Sequence, residues 1–123
     1  MIQSYKDLKV YQMSYLLAMD LFWITKKFPR EELYSLTDQI RRASRSVSAN
    51  IVEGWAKRYF ENIFKKHLLD SIGSCEETKI WLDFALNCEY LTKDQHQKSM
   101  NRCEEISKML NALFENWKTI KKP

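Results

Sequence analysis

The sequence predicts an all-α protein: an antiparallel, up-down-up-down four-helix bundle in a single domain over residues 1–123. Four segments carry apolar residues at alternating spacings of three and four, which places those residues on one face of a helix. Glycine and proline, which interrupt helices, occur only twice each. The connections between the segments are short, and short connections favour antiparallel neighbours.

The first helix is predicted over residues 7–27, before Phe28-Pro29, because proline disfavours helical geometry in the residue that precedes it. Further apolar residues make its apolar surface wider than one stripe, and such a helix must be covered on more than one side. We therefore expect Leu17, Leu21 and Ile24 to contact another subunit. The stripe predicted to face the core consists of Leu8, Tyr11, Tyr15, Ala18 and Phe22.

The second helix is predicted over residues 36–57, with Ser35 as its N-cap. The third is predicted over residues 60–89 and contains Gly73. Glycine inside a helix costs about 1 kcal/mol relative to alanine, so we expect a neighbouring helix to approach closely at Gly73. The stripe of the second helix is Leu36, Ile40, Ala43, Val47, Ile51 and Gly54, and that of the third is Phe64, Leu68, Ser71, Cys75, Thr78, Leu82 and Ala85.

The fourth helix is predicted over residues 92–119. Thr92 and Gln95 have the spacing of a capping box, in which each side chain bonds to the backbone N–H of the other residue. The apolar stripe that follows consists of Met100, Cys103, Ile106, Leu110, Leu113 and Trp117.

Positive charge is concentrated in the second helix. The whole chain has a net charge of +4, and residues 41–58 alone contain five basic residues and one acidic residue, Glu53. Basic side chains along one segment can contact the phosphates of RNA or DNA. The alternatives are a solvent-facing charged surface or pairing with acidic residues of a neighbouring subunit. The candidate nucleic-acid-binding residues are Arg41, Arg42, Arg45, Lys57 and Arg58.

Asn50 and Glu53 form a second polar feature, beside Gly54 on the second helix. A polar residue at a helix interface can fix the register of packing or the oligomeric state. We expect this structural role rather than a catalytic one, because no nucleophile or base completes the pair.

The sequence predicts no enzyme, no metal site and no cofactor. The two histidines, His67 and His96, lie on different predicted helices and belong to no metal-binding motif. Both glycines lie inside predicted helices, whereas phosphate-binding loops need glycines where the backbone wraps the ligand. Cys75 and Cys103 lie on apolar stripes and are expected to be small core residues.

Cysteine usage predicts a cytoplasmic protein with reduced thiols. The three cysteines are an odd number, form no CxxC pair and follow no secretory leader. The longest apolar stretch, from Tyr15 to Ile24, is interrupted by Asp20 and is shorter than the roughly 20 residues that a membrane-spanning helix requires. We expect a soluble protein that does not bind membranes.

Several segments of the sequence together form one signature: Tyr5–Gln12, Phe28-Pro29, Glu32–Thr37, Gln39–Ala43, Ser46–Gly54, Gly73-Ser74 and Glu77. This signature resembles that of the four-helix bundle family named for the 23S rRNA intervening-sequence protein. The chain departs from the family pattern at Tyr59 and at His67-Leu68.

The resemblance implies a left-handed bundle that assembles as a homopentamer, encoded in some bacteria within insertions in large-subunit rRNA genes. Relatives include the accessory protein of diversity-generating retroelements, which is basic and binds nucleic acid and a reverse transcriptase. The implied partners are further copies of the chain, RNA or DNA, and a reverse transcriptase or another protein. The resulting hypothesis is a non-catalytic nucleic-acid-binding or ribonucleoprotein accessory factor. The alternative is an adaptor that docks another protein on the apolar face of the first helix or on the rim of a ring.

Overall fold

The chain folds into four long α-helices, as seen in a computed structural model that describes residues 2–118. The helices are α1 (Lys9–Thr25), α2 (Leu36–Ala56), α3 (Glu61–Asn87) and α4 (Lys93–Asn116), with short 3-10 turns at Tyr5–Asp7 and Arg30–Glu32. Residues 2–118 contain no β-strand. The end predicted for the fourth helix, at residue 119, lies outside the described residues. No helix between residues 2 and 118 combines the length and the hydrophobicity that a membrane span requires.

Helix α1 begins later than predicted because a separate turn precedes it. The Ser4 hydroxyl accepts a hydrogen bond from the Lys6 N–H, and an Asp7 carboxylate oxygen accepts one from the Ser4 N–H at 3.1 Å. This capping box organises the Tyr5–Asp7 turn. Leu8 then adopts an extended conformation, so that the α-helix begins at Lys9.

The predicted core stripes of α2 and α3 are confirmed, since every residue of both stripes is buried. In α4 the centre of the predicted stripe is also buried, at Cys103, Ile106 and Leu110. The remaining stripe residues of α4, Met100, Leu113 and Trp117, are partly buried and pack against the core.

The stripe predicted for the first helix is confirmed only at its start, where Leu8 is buried and Tyr11 packs against the core; further along α1 its phase is wrong. The buried face of α1 consists of Val10, Ser14, Leu17, Leu21 and Thr25. Tyr15, which was predicted to face the core, is 49% exposed. The inward face contains two hydroxyl side chains, and one of them, Thr25, donates a hydrogen bond to the Leu21 carbonyl oxygen at 2.7 Å. Because the helix itself satisfies this hydroxyl, burying it carries little penalty.

The beginnings of α2 and α4 are capped differently. In α4, the Thr92 hydroxyl accepts a hydrogen bond from the Gln95 N–H, and the Gln95 side chain accepts one from the Thr92 N–H, both at 3.0 Å, which confirms the predicted capping box. In α2, Ser35 is the N-cap residue, as predicted, but its side chain does not cap the helix. The Ser35 hydroxyl instead donates to the Glu32 carboxylate at 2.6 Å and makes no capping bond.

Polar contacts join the ends of the helices. The Tyr90 hydroxyl donates to the Glu32 carboxylate at 2.9 Å. The hydrogen bonds from Ser35 and Tyr90 lower the pKa of Glu32, and the same Glu32 contact raises the pKa of Tyr90 to about 12. Nearer the middle of the helices, Arg102 of α4 pairs with Asp20 of α1 at 2.9 Å.

The C-terminal end of α3 is a Schellman motif with a glutamate in the position that usually holds glycine. The Glu89 N–H donates to the Leu86 carbonyl and the Tyr90 N–H donates to the Ala85 carbonyl, both at 2.9 Å. Glu89 therefore has a φ of 65°, in the left-handed region. A residue other than glycine is strained in this conformation, because its Cβ atom lies too close to the backbone.

Replacing Glu89 by glycine is expected to raise the free energy of unfolding by about 1 kcal/mol, because it removes this strain. Chemical denaturation followed by circular dichroism measures the change. The matched control is Asn87→Gly in the last turn of α3, which should lower stability by up to about 1 kcal/mol. Equal destabilisation by both glycines would contradict the described turn.

Candidate functional site

The five cations predicted to bind nucleic acid do not form one patch. Arg41 and Arg45 lie beside α1, with their guanidinium carbons 4.8 and 5.9 Å from the centre of the Phe22 ring. Arg42 lies on another side of α2. Lys57 follows the end of the helix, about 24 Å from Arg41 at 1.5 Å per residue. Each group therefore has to be judged by its own contacts.

Arg58 is occupied by local structure. Its guanidinium donates to the Trp55 carbonyl oxygen at 3.0 Å and to the Tyr59 hydroxyl at 3.3 Å. The guanidinium carbon also lies 4.4 Å from the centre of the Trp55 ring and 4.7 Å from that of Tyr59. These contacts stabilise the connection between α2 and α3, and little of the guanidinium is left for a phosphate.

Arg42 lies in a polar groove of mixed charge. Its guanidinium is 3.9 Å from the Asp38 carboxylate, in a pair whose side chains are 76% and 45% exposed. The groove has a volume of about 420 Å³, and its walls come from α2 and α3: Gln39, Arg42, Ala43, Ser46, Ser74 and Glu77. Because a carboxylate lies at 3.9 Å and Glu77 lines the same groove, Arg42 is a weaker phosphate ligand than a cation without acidic neighbours.

Arg41 is held in place from both sides. Its Nε donates to the Thr25 hydroxyl at 2.9 Å, and Thr25 is itself buried and bonded to the backbone of α1. Phe22, which lies on the same helix as Thr25, has its ring centre 4.8 Å from the Arg41 guanidinium carbon. Within residues 2–118, the Nη1 and Nη2 atoms of Arg41 make no hydrogen bond. Arg41 therefore presents two oriented donors, which is the geometry that binds phosphate bidentately.

Two further cations complete this region, and neither is among the residues predicted from the sequence. The Lys26 ammonium lies 5.0 Å from the centre of the Phe22 ring and 5.3 Å from that of Trp23. Arg30 lies in the turn after α1. We call Lys26, Arg30, Arg41 and Arg45 the basic corner. Among the described residues, no carboxylate lies within 4.0 Å of any of these four cations. The contact between Lys26 and Phe22 could have been predicted, because Lys26 follows Phe22 by one helical turn. The grouping of the four cations could not, because they come from three elements.

A cleft opens in the basic corner, with a volume of about 320 Å³. Three of the four cations line it, and the lining includes no carboxylate. The hydroxyl-bearing residues Thr25 and Thr37 are buried at its wall. The full lining is Thr25, Lys26, Phe28, Pro29, Arg30, Leu33, Thr37 and Arg41.

Asn50, Glu53 and Gly54 lie against α3, where all three surround His67. An atom added at the Cβ position of Gly54 would lie 2.9 Å from the His67 Cβ. The Asn50 side-chain oxygen is 3.3 Å from the His67 Nδ1, and Glu53 is 3.8 Å from the same nitrogen. The Lys57 ammonium lies 3.4 Å from the His67 Nε2. The Nδ1 atom of His67 therefore faces the amide oxygen and the carboxylate, and the Nε2 atom faces the Lys57 ammonium.

The prediction for Gly73 is wrong. An atom at its Cβ position would have no heavy atom within 4 Å, its own helix backbone aside, among residues 2–118. Gly73 lies on the solvent-facing side of α3 instead. The close approach of α2 and α3 occurs at Gly54.

The residues predicted to contact another subunit need correction. Leu17 and Leu21 are each 1% exposed and belong to the core of a single chain, while Ile24 is partly buried and packs against it. The outward surface of α1 is nevertheless apolar, with Leu16 at 58% and Trp23 at 60% exposed. We define the apolar face of α1 as Tyr15, Leu16, Met19 and Trp23.

Cys75 and Cys103 are buried core residues, as predicted. Burial raises the pKa of Cys75 to about 11 and that of Cys103 to about 12. Both thiols are protonated at neutral pH, and a protonated thiol is a poor nucleophile and a poor metal ligand. Residues 2–118 contain no group of three or more His, Cys, Asp or Glu side chains arranged to hold a metal ion.

Comparison with known proteins places the chain in a family. One solved structure with the same fold is a protein of unknown function from the S23 ribosomal protein family of Bacteroides thetaiotaomicron VPI-5482. It has a TM-score of 0.79 and 26% sequence identity, and the match covers 87% of this chain and 96% of that chain. No curated protein matches the sequence. The sequence model described as 23S rRNA-intervening sequence protein matches residues 6–112. The chain therefore belongs to the 23S rRNA-intervening sequence protein family.

Proposed function

We propose that the protein is a non-catalytic nucleic-acid-binding factor, an accessory component of a cytoplasmic ribonucleoprotein, that contacts RNA or DNA phosphates through the basic corner. The observation that carries the proposal is the gathering of Lys26, Arg30, Arg41 and Arg45 with no carboxylate within 4.0 Å among residues 2–118. Like charges held together repel one another, and a bound anion relieves that repulsion. The family's name, which refers to 23S rRNA, is consistent with RNA as the ligand.

The proposal narrows the group of cations predicted from sequence. Arg41 and Arg45 remain its centre, and Lys26 and Arg30 join them. Three of the predicted cations are left out. The charge of Arg42 is offset by Asp38. Lys57 contacts His67, and Arg58 is bonded to the Trp55 carbonyl oxygen.

A salt titration tests the proposal. Phosphate contacts release counterions, so the logarithm of the affinity should fall linearly with the logarithm of the salt concentration. For one chain whose four corner cations all contact phosphates, the slope is expected to be about −3 to −4. Sequence preference should be weak, because phosphate contacts carry no base information. Fluorescence anisotropy with labelled RNA and DNA measures both quantities, and undetectable binding at low salt would exclude the proposed function.

We further propose that the protein is a homo-oligomer, a pentamer as the family resemblance implies, built from left-handed antiparallel bundles. The apolar face of α1 supports this proposal, because Tyr15, Leu16, Met19 and Trp23 form a continuous exposed surface on one helix. Bonds between distant segments, such as Tyr90 to Glu32 and Arg102 to Asp20, agree with an antiparallel arrangement. Light scattering that gave a monomer of 14.8 kDa would contradict the oligomer.

The same apolar face favours one alternative, an adaptor that docks a different protein, such as a reverse transcriptase, with no role for nucleic acid. Leu16→Glu with Met19→Glu should then abolish capture of the partner, while charge reversal at Arg41 and Arg45 should leave capture unchanged. If the protein instead binds nucleic acid, charge reversal at Arg41 and Arg45 should abolish the binding of nucleic acid.

A further inference from the structure

The cleft in the basic corner has the properties of a site for one compact anion. Its volume of about 320 Å³ lies near the lower limit of small-molecule pockets, which are roughly 300–1,000 Å³. A double helix cannot enter a cleft of this size, whereas one phosphate group with part of a nucleotide can. The basic corner as a whole can therefore contact the backbone of a duplex, whereas the cleft within it can hold only one phosphate group with part of a nucleotide.

The cations around the cleft are close together and one of them is preorganised. Lys26 and Arg41 each lie about 5 Å from the centre of the same Phe22 ring, so the two charges are at most about 10 Å apart. The bond from Arg41 Nε to Thr25 fixes the guanidinium through one edge and leaves its two Nη atoms for a ligand. A planar fork held in this way binds two oxygens of one phosphate with little loss of side-chain freedom.

The charge of the cleft matches a terminal phosphate better than an internal one. A phosphate monoester carries about −1.5 to −2 at pH 7 and presents three acceptor oxygens, whereas each phosphate within a strand carries one negative charge. Three cations face the cleft, with no lining carboxylate to offset them. The greater charge of the monoester therefore gains more from the site.

We propose that the cleft formed by Thr25, Lys26, Arg30 and Arg41 binds a phosphate monoester, such as the terminal phosphate of a single strand or of a mononucleotide. When the strand end is the source, this inference rests on the proposed function, because the rest of the strand then contributes to binding. A free mononucleotide or inorganic phosphate would occupy the same cleft without that contribution.

The first experiment compares one short single-stranded oligonucleotide with a 5′-phosphate or a 5′-hydroxyl end. We expect the phosphorylated form to bind about tenfold more tightly. Arg30→Gln and Arg41→Gln should each remove most of this preference, and Thr25→Val should reduce it by releasing Arg41. Arg42→Gln is the matched control, since it removes the same charge from the next residue of α2 outside the cleft, and it should keep the preference.

The second experiment uses thermal unfolding in sodium phosphate and in sodium chloride at equal ionic strength, with adenosine monophosphate against adenosine as a further pair. A ligand that binds only the folded protein raises the melting temperature. Phosphate and the monophosphate should raise it, and Arg41→Gln should abolish the rise while circular dichroism shows an unchanged helical content.

The outcomes separate the two proposals. Salt-dependent binding with no preference for the phosphorylated end, and no phosphate-specific rise in melting temperature, would contradict the proposal that the cleft binds a phosphate monoester. The proposed function would remain intact. A phosphate-specific rise that needs Arg41, with no oligonucleotide binding, would support the cleft as a site for free phosphate esters and exclude the proposed function. A preference for the 5′-phosphorylated oligonucleotide that persists in both Arg30→Gln and Arg41→Gln would also contradict the proposed site.

Discussion

Replacing both Arg41 and Arg45 by glutamate is expected to weaken the binding of RNA or DNA by about 100-fold or more at physiological salt. The double variant removes two cations that lie on the Phe22 ring and adds two charges that repel phosphates. The slope of the salt dependence should also become shallower by about 2, because two phosphate contacts are lost. Anisotropy titrations of both proteins at several salt concentrations measure these changes.

The control for this prediction is Lys98→Glu with Lys108→Glu. Both lysines are exposed on α4, and the double variant changes the net charge by the same amount. If binding depended only on net charge, the two double variants would lose affinity equally. That result would contradict a localised basic corner, and circular dichroism of both proteins excludes unfolding as the cause of any loss.

Replacing Gly54 by alanine is expected to lower the free energy of unfolding by about 1–3 kcal/mol, even though alanine is the better helix former. The new methyl group would lie 2.9 Å from the His67 Cβ and 3.4 Å from the Phe64 ring. Because a Cβ atom is attached directly to the backbone, α2 and α3 would have to separate to make room. The packing that would be disturbed includes the contact of Phe64 with Trp117, whose ring centres are 4.4 Å apart.

The matched control is Gly73→Ala, which makes the same chemical change on α3. Because no described atom lies near the new methyl group, only the helix preference should act, and stability should rise by up to about 1 kcal/mol. Urea denaturation at one fixed protein concentration compares the two variants, since the stability of an oligomer depends on concentration. Stability changes of the same sign would contradict the assignment of Gly54, rather than Gly73, to the helix contact.

The sequence was sufficient to predict the helices wherever apolar and polar residues alternate cleanly. In α3 the predicted stripe is the buried face, although Ile63, Leu69, Ile80 and Phe84 are exposed on its other sides. In α2 the predicted stripe is the buried face because polar and charged residues occupy most of the other sides of the helix. Helix α1 offered no such contrast. Its outward face is also apolar, and its inward face includes Ser14 and Thr25, whose hydroxyls bond to backbone carbonyl oxygens of their own helix. The phase of the stripe could not be read from hydrophobicity there, and Leu17 and Leu21 were consequently assigned to an interface.

Predicting the site required knowledge of which side chains from separate elements come together. The sequence identified Arg41 and Arg45 by their density of charge, but the same criterion selected Arg58, whose guanidinium is occupied by Trp55 and Tyr59. The density of cations along the sequence does not show whether a given guanidinium is already bonded within the fold. The sequence did not identify Lys26 and Arg30 because they lie at the end of α1 and in the following turn, more than ten residues before Arg41. Gly54 and Gly73 likewise look equivalent in sequence, and only the position of His67 distinguishes them.

The bond between Arg41 and Thr25 connects binding to the mechanics of the bundle. Arg41 belongs to α2 and Thr25 to α1, so the orientation of the guanidinium depends on how these two helices are packed. A ligand held by Arg41, Lys26 and Arg30 spans α1, α2 and the turn between them. Opening the packing of α1 against α2 would then require release of the ligand, and occupancy should slow hydrogen exchange at the C-terminal turn of α1 more than elsewhere in the chain. In the proposed complex, the anion bound by these cations would thus also limit how often this end of the bundle opens.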